Sequence, residues 1–114
     1  TSGALSDRPM VGNVFADEDN LAIYHEYLWQ LIDGPLASNT FNTRVTEIAD
    51  LIRDHVANDP TAFYGATAFE TNLHSDVSNF FGLTEFMNYR VNNMTQQLKG
   101  DLPSAGNGNG FCSN

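Results

Sequence analysis

The chain has 114 residues, 41% of them hydrophobic, and its 14 acidic and 5 basic residues give a formal net charge of −9. This length allows one domain with one modest core, and the apolar content is too high for a disordered chain. The negative charge argues against nucleic acid or an anionic membrane as a partner. No apolar run reaches the roughly 18 residues that a membrane-spanning helix needs.

The N-terminal residues predict a flexible lead-in followed by one short packed turn. Residues 1–7 are expected to be flexible, and residues 9–15 to form one irregular helical turn against the core. A signal peptide has a basic region followed by an apolar one, and this pattern is absent here. The sequence starts at Thr1 rather than Met. We therefore expect a processed or excised piece of a longer protein.

Residues 20–33 predict the first long helix. Its apolar residues recur at helical spacing, at Leu21, Tyr24, Tyr27, Leu28, Leu31 and Ile32. Acidic residues 17–19 suit the positive end of the helix dipole. Gly34 is expected to end the helix in the left-handed conformation, and Pro35 cannot continue it. The aromatic residues Tyr24, Tyr27 and Trp29 favour a packing or docking surface over a ligand groove.

A second long helix is predicted over residues 41–57, capped by Ser38, Asn39 or Thr40, with Arg53 on its solvent side. Residues 60–80 predict a broken helical stretch. It would begin with a turn at residues 60–64, started by Asp59 as a cap and Pro60 as the first helical residue. A weak helix would follow, opened by a capping box between Thr67 and Glu70.

The last long helix is predicted over residues 83–99, with Gly82 before it and Gly100 ending it. Arg90 lies beside its apolar stripe, and we expect it to pair with Glu26 or Asp33 on the first long helix. Residues 104–114 are rich in Gly and Asn and predict a flexible tail or linker. The sequence thus predicts an all-α fold, a small bundle of three long helices plus short helical turns, over residues 1–103.

The candidate reactive groups do not form a recognisable catalytic motif. His25, His55 and His74 lie on different predicted helices without the close spacing of a zinc site. The acidic cluster at 17–20 lacks an EF-hand pattern, because Leu21 stands at the position of the fifth loop ligand. Residues 74–76 hold His, Ser and Asp side by side, whereas catalytic triads are assembled in space. No phosphate-binding loop is present, so no catalytic, cofactor or metal residue is assigned.

Two further features are interpreted as non-functional. Cys112 is the single cysteine, so no internal disulfide can form, and it has no evident activating neighbour. Asn93 begins an N-glycosylation sequon, Asn93-Met94-Thr95, but it falls inside a predicted helix, which favours a chance match.

A series of short motifs along residues 7–102 resembles the C-terminal helical part of the spore-coat-protein-H (CotH) kinase-like family. The matching positions, in order, are Arg8-Pro9, the Tyr-rich helix from Tyr24 to Gly34, Asp59-Pro60, Phe63-Tyr64, Arg90 and Gln97-Leu98. Each motif is short, and their order and spacing together carry the resemblance.

The resemblance implies a parent that is an atypical protein kinase using ATP and magnesium, secreted or located on a cell or spore surface. The family's nucleotide- and metal-binding residues match no position here, so the chain itself would be non-catalytic and need no cofactor. It would be a subdomain that docks on the remaining kinase-like lobe of the parent through Tyr24, Tyr27, Trp29 and Arg90. The alternative is a free-standing helical interaction or adhesion module with other protein partners. A large exposed apolar patch at the first long helix would favour the first hypothesis, and a closed core the second.

Overall fold

The computed structural model describes residues 7–102 and confirms the all-α fold. Its helices are α1 (Pro9–Phe15), α2 (Glu18–Asp33), α3 (Ser38–Ala57), α4 (Ala66–Asn72) and α5 (Leu83–Lys99). The long helices α2, α3 and α5 are those predicted from the apolar spacing, and α1 is a regular helix rather than an irregular turn. Residues 7–102 contain no strand beyond one isolated bridge, between Val77 and Phe80. The predicted tail and Cys112, and all of the lead-in except Asp7, lie outside the described residues.

The main helix contacts form an open series rather than a closed ring. Helix α5 lies between α2 and α3, while α1 packs on α2 and α4 packs on α3. The hydroxyl of Ser38, at the start of α3, donates to Asn88 Oδ1 on α5 at 2.8 Å. Each end of the series therefore has one packed neighbour, and the outer faces of its helices are left uncovered.

The core that this arrangement builds is thin. Within residues 7–102, the buried apolar side chains are Ile32 of α2 and Val45 and Ala49 of α3, and Thr84 of α5 is the buried polar residue. No large side chain in this range is fully enclosed. Because hydrophobic burial is the main favourable term in folding, a core of this size leaves the chain at the low end of domain stability.

The ends of α2 are fixed by a side-chain cap and a close backbone approach. Asp17 Oδ1 accepts hydrogen bonds from the backbone N–H groups of Asp19 and Asn20, at 3.0 and 3.1 Å, as its negative charge at this helix end predicts. The predicted left-handed cap at Gly34 is wrong, since its φ is −107°. A Cβ at this position would lie 2.7 Å from the carbonyl oxygen of Gln30, so lack of space favours glycine here.

Two predicted caps are wrong because the helices begin earlier than expected. Helix α3 follows Ala37 without a side-chain cap, and Ser38, already inside it, uses its hydroxyl to bond to α5. Helix α4 follows Gly65, so Thr67 lies in its first turn and does not cap it. Glu70 makes an ion pair with Arg53 of α3 instead of completing the capping box.

The stretch between α3 and α5 is less helical than predicted. Asp59 Oδ1 accepts from the N–H and hydroxyl of Thr61, at 2.8 and 2.7 Å, which forms a local turn instead of starting a helix. Residues 63–64 are not helical, and α4 is the one helix between residues 60 and 80. After α4 the chain turns back through residues 73–82, and Gly82 precedes α5. Helix α5 ends as predicted, because Gly100 is left-handed with a φ of 82°.

Candidate functional site

An apolar stripe runs along the solvent side of α2. It is formed by Ile23, Tyr24, Tyr27 and Leu31, and we call it the α2 stripe. All of these side chains are exposed, Tyr27 most of all at 61%. Single exposed apolar residues are ordinary on a protein surface, but a contiguous set at helical spacing marks an interaction face.

The α2 stripe arises because the apolar positions of α2 cover more than one face of the helix. On one face, Ile32 is buried and Leu21 and Leu28 are partly buried. At 3.6 residues per turn, Tyr27 and Leu31 lie roughly 100° away around the axis. Helix α5 contacts α2, and α1 contacts it through Tyr24, but Tyr27 and Leu31 remain 61% and 43% exposed.

Helix α1 extends this apolar surface. The ring of Phe15 packs against the ring of Tyr24 with centroids 4.8 Å apart and planes tilted by 36°. This contact fixes α1 on α2, and α1 itself exposes Met10, Val11 and Val14. The N-terminal pair of helices therefore presents exposed apolar side chains on both α1 and α2.

The other two predicted docking residues are placed differently from Tyr24 and Tyr27. Trp29 lies on α2 but is partly buried, so less of its ring is available to a partner. Arg90 is exposed on α5, and its side chain makes no hydrogen bond, ion pair or ring contact within residues 7–102. Its expected ion pair with Glu26 or Asp33 is not formed. The structure thus joins two of the four residues in one exposed stripe.

A second apolar feature was not predicted as a site from the sequence. It is a groove of about 810 Å³ at the opposite end of the helix series, and we call it the α4 groove. Its lining comes from the end of α3, the turn before α4, α4 itself, the following loop and the start of α5: Val56, Phe63, Tyr64, Ala68, Phe69, Asn72, Leu73, Val77, Phe80, Phe81 and Leu83. The volume lies within the range of about 300–1,000 Å³ of ligand pockets.

The wall of the α4 groove is held by hydrogen bonds in the loop of residues 73–82. The Asn72 amide donates to the carbonyl oxygens of Ser75, Phe80 and Phe81, at 3.3, 3.2 and 3.0 Å. Asp76 Oδ1 accepts from the N–H of Gly82 at 2.7 Å. These bonds place the rings of Phe80 and Phe81 at the edge of the groove.

One cation connects α3 to α4 beside the groove. Arg53, predicted to face solvent, is half-buried, and its Nε donates to Glu70 Oε1 at 2.6 Å. Its guanidinium also pairs with Asp50, one turn earlier in α3. The hydrogen bonds that Arg53 donates to Glu70 and then to Asp50 raise the pKa of Arg53 further above its usual value. Arg53 is therefore neutralised locally by two carboxylates.

The described residues contain no grouping that would support catalysis by a bound metal. Within residues 7–102, no three His, Cys, Asp or Glu side chains are placed to share a metal ion. His74 lies near a polar partner, with Nδ1 3.4 Å from the hydroxyl of the buried Thr84, which ties the loop after α4 to α5. Asn93 of the sequon is partly buried in the middle of α5, where a glycan would meet the packed helix face.

Comparison with protein-family models, curated proteins and solved structures finds no match to this chain. Among the described residues, no helix combines the length and apolarity needed to span a membrane. The functional interpretation therefore depends on the α2 stripe, the α4 groove and the motif resemblance.

Proposed function

We propose that this chain is a non-catalytic helical C-terminal subdomain of a CotH-like atypical protein kinase, and that it docks on the remaining lobe of that parent. One observation carries the proposal: the apolar side chains of the α2 stripe are exposed, although the chain buries few other apolar side chains. The stripe lies in the Tyr-rich helix that carries part of the motif resemblance. In this proposal, ATP and magnesium are bound by the parent lobe, and the parent is secreted or located on a cell or spore surface.

The energetics support docking through the α2 stripe. Full burial of one large apolar side chain contributes about 1.5–3 kcal/mol. The four stripe side chains are each roughly half exposed, so covering them would contribute about 3–6 kcal/mol before the cost of association. That is comparable with the whole stability of a small domain, about 5–15 kcal/mol. A subdomain that docks in this way gains much of its stability from its partner.

The alternative, a free-standing interaction or adhesion module, would be expected to have a closed core and a polar exterior. The open helix series and the exposed α1 and α2 side chains support the subdomain hypothesis over this alternative. Neither nucleic acid nor a membrane is proposed as a partner, because the net charge of −9 opposes both.

The proposal is tested by binding in trans. The polypeptide encoded upstream of Thr1 is produced separately, and its affinity for this chain is measured by calorimetry. The double variant Tyr27→Ser/Leu31→Ser should weaken binding by at least about tenfold, which is about 1.4 kcal/mol. The matched control is Leu51→Ser, which alters a side chain of α3 that is 76% exposed and lies outside the stripe. An upstream sequence without a nucleotide-binding region, or equal weakening by the control, would refute the proposal.

The non-catalytic part of the proposal is tested with Mg·ATP and the isolated chain. The five basic residues are scattered, and the net charge repels a polyphosphate. Titration at physiological salt should therefore give no binding heat. Micromolar affinity that Arg90→Ala abolishes would show that this chain carries a nucleotide site, and the subdomain would then not be non-catalytic.

A further inference from the structure

The α4 groove is separate from the α2 stripe, because none of its lining residues lies on α1 or α2. Several of its lining residues expose large apolar side chains. Phe63 is 97% exposed, and Tyr64, Phe80, Phe81 and Leu83 are exposed as well. Large exposed aromatic groups on a concave surface are the features that partners use as anchoring pockets.

Contacts within the chain hold the walls of the groove. Tyr64 and Phe80 pack edge to face with their ring centroids 5.3 Å apart, which connects the turn before α4 to the loop after it. The Phe81 ring packs against that of Phe86 of α5, at 6.0 Å. Together with the three hydrogen bonds of the Asn72 amide, these contacts fix the walls. A pre-formed groove reduces the entropy lost when a partner binds.

The lining favours an apolar occupant. Asn72 is its one amide side chain, and its Nδ2 atom is engaged by the three loop carbonyls. The Tyr64 hydroxyl is the remaining polar side-chain group of the lining. A nucleotide or sugar would have most of its polar groups unpaired in such a groove, at a cost of about 1–3 kcal/mol for each.

The charges near the groove are negative. All lining residues come from residues 56–83, a segment that contains Asp59, Glu70 and Asp76 and no Lys or Arg. Asp59 and Asp76 are exposed, and Glu85 of α5 follows the segment. Of the Lys and Arg residues on the two flanking helices, Arg53 is paired with two carboxylates and Arg44 with Glu47, while Arg90 and Lys99 lie roughly two and four turns beyond Leu83 on α5. We call these three carboxylates, of Asp59, Asp76 and Glu85, the acidic rim, because each is within three residues of a lining residue in the chain.

We propose that the α4 groove binds an amphipathic helix of a partner protein, with apolar anchor residues on one face and Lys or Arg residues flanking them. Apolar side chains at i, i+3, i+4 and i+7 would fill the groove, and the basic flanks would face the acidic rim. A second copy of this chain fits less well, because it also carries a net charge of −9. An anionic membrane is opposed by the same charge.

The test uses the full chain and three fluorescein-labelled peptides of about five helical turns each. The first has Leu at the anchor positions and Lys elsewhere. The second keeps the Leu pattern with Glu in place of Lys, and the third keeps the composition of the first with the Leu positions scrambled. Fluorescence anisotropy should show saturable micromolar binding of the first peptide, weakened at least about tenfold in the other two.

Two variants locate the binding site. Phe63→Ser removes a ring that makes little contact with its own chain and should weaken the first peptide about tenfold without loss of helicity by circular dichroism. The control Leu51→Ser should change the affinity less than about twofold, since that exposed residue lies outside the groove. Tyr27→Ser should also leave the peptide affinity unchanged, which separates this test from that of the proposed function.

Three outcomes would overturn the proposal. The first is no saturable binding of the first peptide below about 1 mM, and the second is binding of the acidic or scrambled peptide with equal affinity. The third is an equal loss of affinity for the first peptide in Phe63→Ser and Leu51→Ser. Sedimentation velocity covers the remaining case. A dimer of the chain that Phe63→Ser dissociates and the first peptide does not displace would assign the groove to self-association and refute a basic helical partner.

Discussion

Gly82 is the position at which a single methyl group should damage this fold most clearly. Its φ of −63° and ψ of 129° are open to any residue, so the backbone conformation does not require glycine. The requirement is space. A Cβ built on Gly82 would lie 2.5 Å from the carbonyl carbon of Ser75 and 2.6 Å from its Cα and N atoms, where ordinary contacts begin near 3.4 Å.

The cost of Gly82→Ala follows from what would have to move. Ser75 is held by its N–H bond to the carbonyl of Thr71 at 2.9 Å and by the Asn72 amide on its own carbonyl. Overpacking lowers stability by about 1–3 kcal/mol. Each hydrogen bond contributes about 1 kcal/mol, and weakening it loses part of that contribution. We expect the substitution to lower the free energy of unfolding by about 2–4 kcal/mol, a large fraction of the stability of a chain with so thin a core.

Gly65 supplies a matched control. It also precedes a helix, α4, with an extended backbone (φ −69°, ψ 170°), and a Cβ there would meet no atom within 4 Å. In Gly65→Ala, the weaker helix capping by Ala and the smaller entropy of the unfolded chain oppose each other, so the net change should stay within about 0.5 kcal/mol. Urea unfolding followed by Trp29 fluorescence measures both. Equal stability losses in the two variants would refute the steric explanation.

Three further substitutions test other parts of the chain. Trp29→Ala should lower the unfolding free energy by about 2–3 kcal/mol, below the usual 3–5 for a large buried aromatic because Trp29 is partly buried; urea unfolding followed by circular dichroism measures this. Ser78 has a φ of 56°, a left-handed conformation that strains any residue with a Cβ. Ser78→Gly should therefore stabilise the chain by about 0.5–1 kcal/mol in the same urea unfolding, and a loss of stability would contradict backbone strain at this position. The Thr61 hydroxyl and N–H lower the pKa of Asp59 from 3.8; the stability this provides is present above that value and lost as the pH falls through the folded-state pKa. Carbon NMR titration should show this pKa rising in Thr61→Ala.

The helices could be predicted from the sequence because their signals are local. The apolar period of 3.6 identifies α2, α3 and α5, and Gly100 shows the left-handed stop that its position predicts. The face of α2 that is buried could not be predicted, because the six apolar positions of its predicted stripe cover two faces and packing against other helices selects between them. Tyr24 and Tyr27 are exposed and available for the predicted docking role, whereas Arg90 lies apart from them on α5.

The α4 groove could not be predicted because its walls depend on contacts between distant residues. The capping-box motif at Thr67 is a local signal, but the Glu70 carboxylate pairs with Arg53, seventeen residues earlier in the chain. The Asn72 amide reaches carbonyls eight and nine residues later, and the N–H of Thr84 bonds to the carbonyl of Leu73 at 3.1 Å. Phe63 and Tyr64, which belong to the motif resemblance, line this groove, but the resemblance does not predict a groove there.

The open order of the helices explains both surfaces by one cause. Helix α5 has neighbours on two sides, whereas α1 and α4, at the ends of the series, have one main neighbour each. A helix with one partner buries one face, so apolar residues beyond that face stay exposed. The α4 groove lies at one of these ends, and the α2 stripe lies next to the other, where α1, with 7 residues, is shorter than the 16-residue α2. Because Gly82 and Asn72 anchor the loop that forms a groove wall, the shape of that surface depends on the same contacts as the stability of the α4–α5 connection.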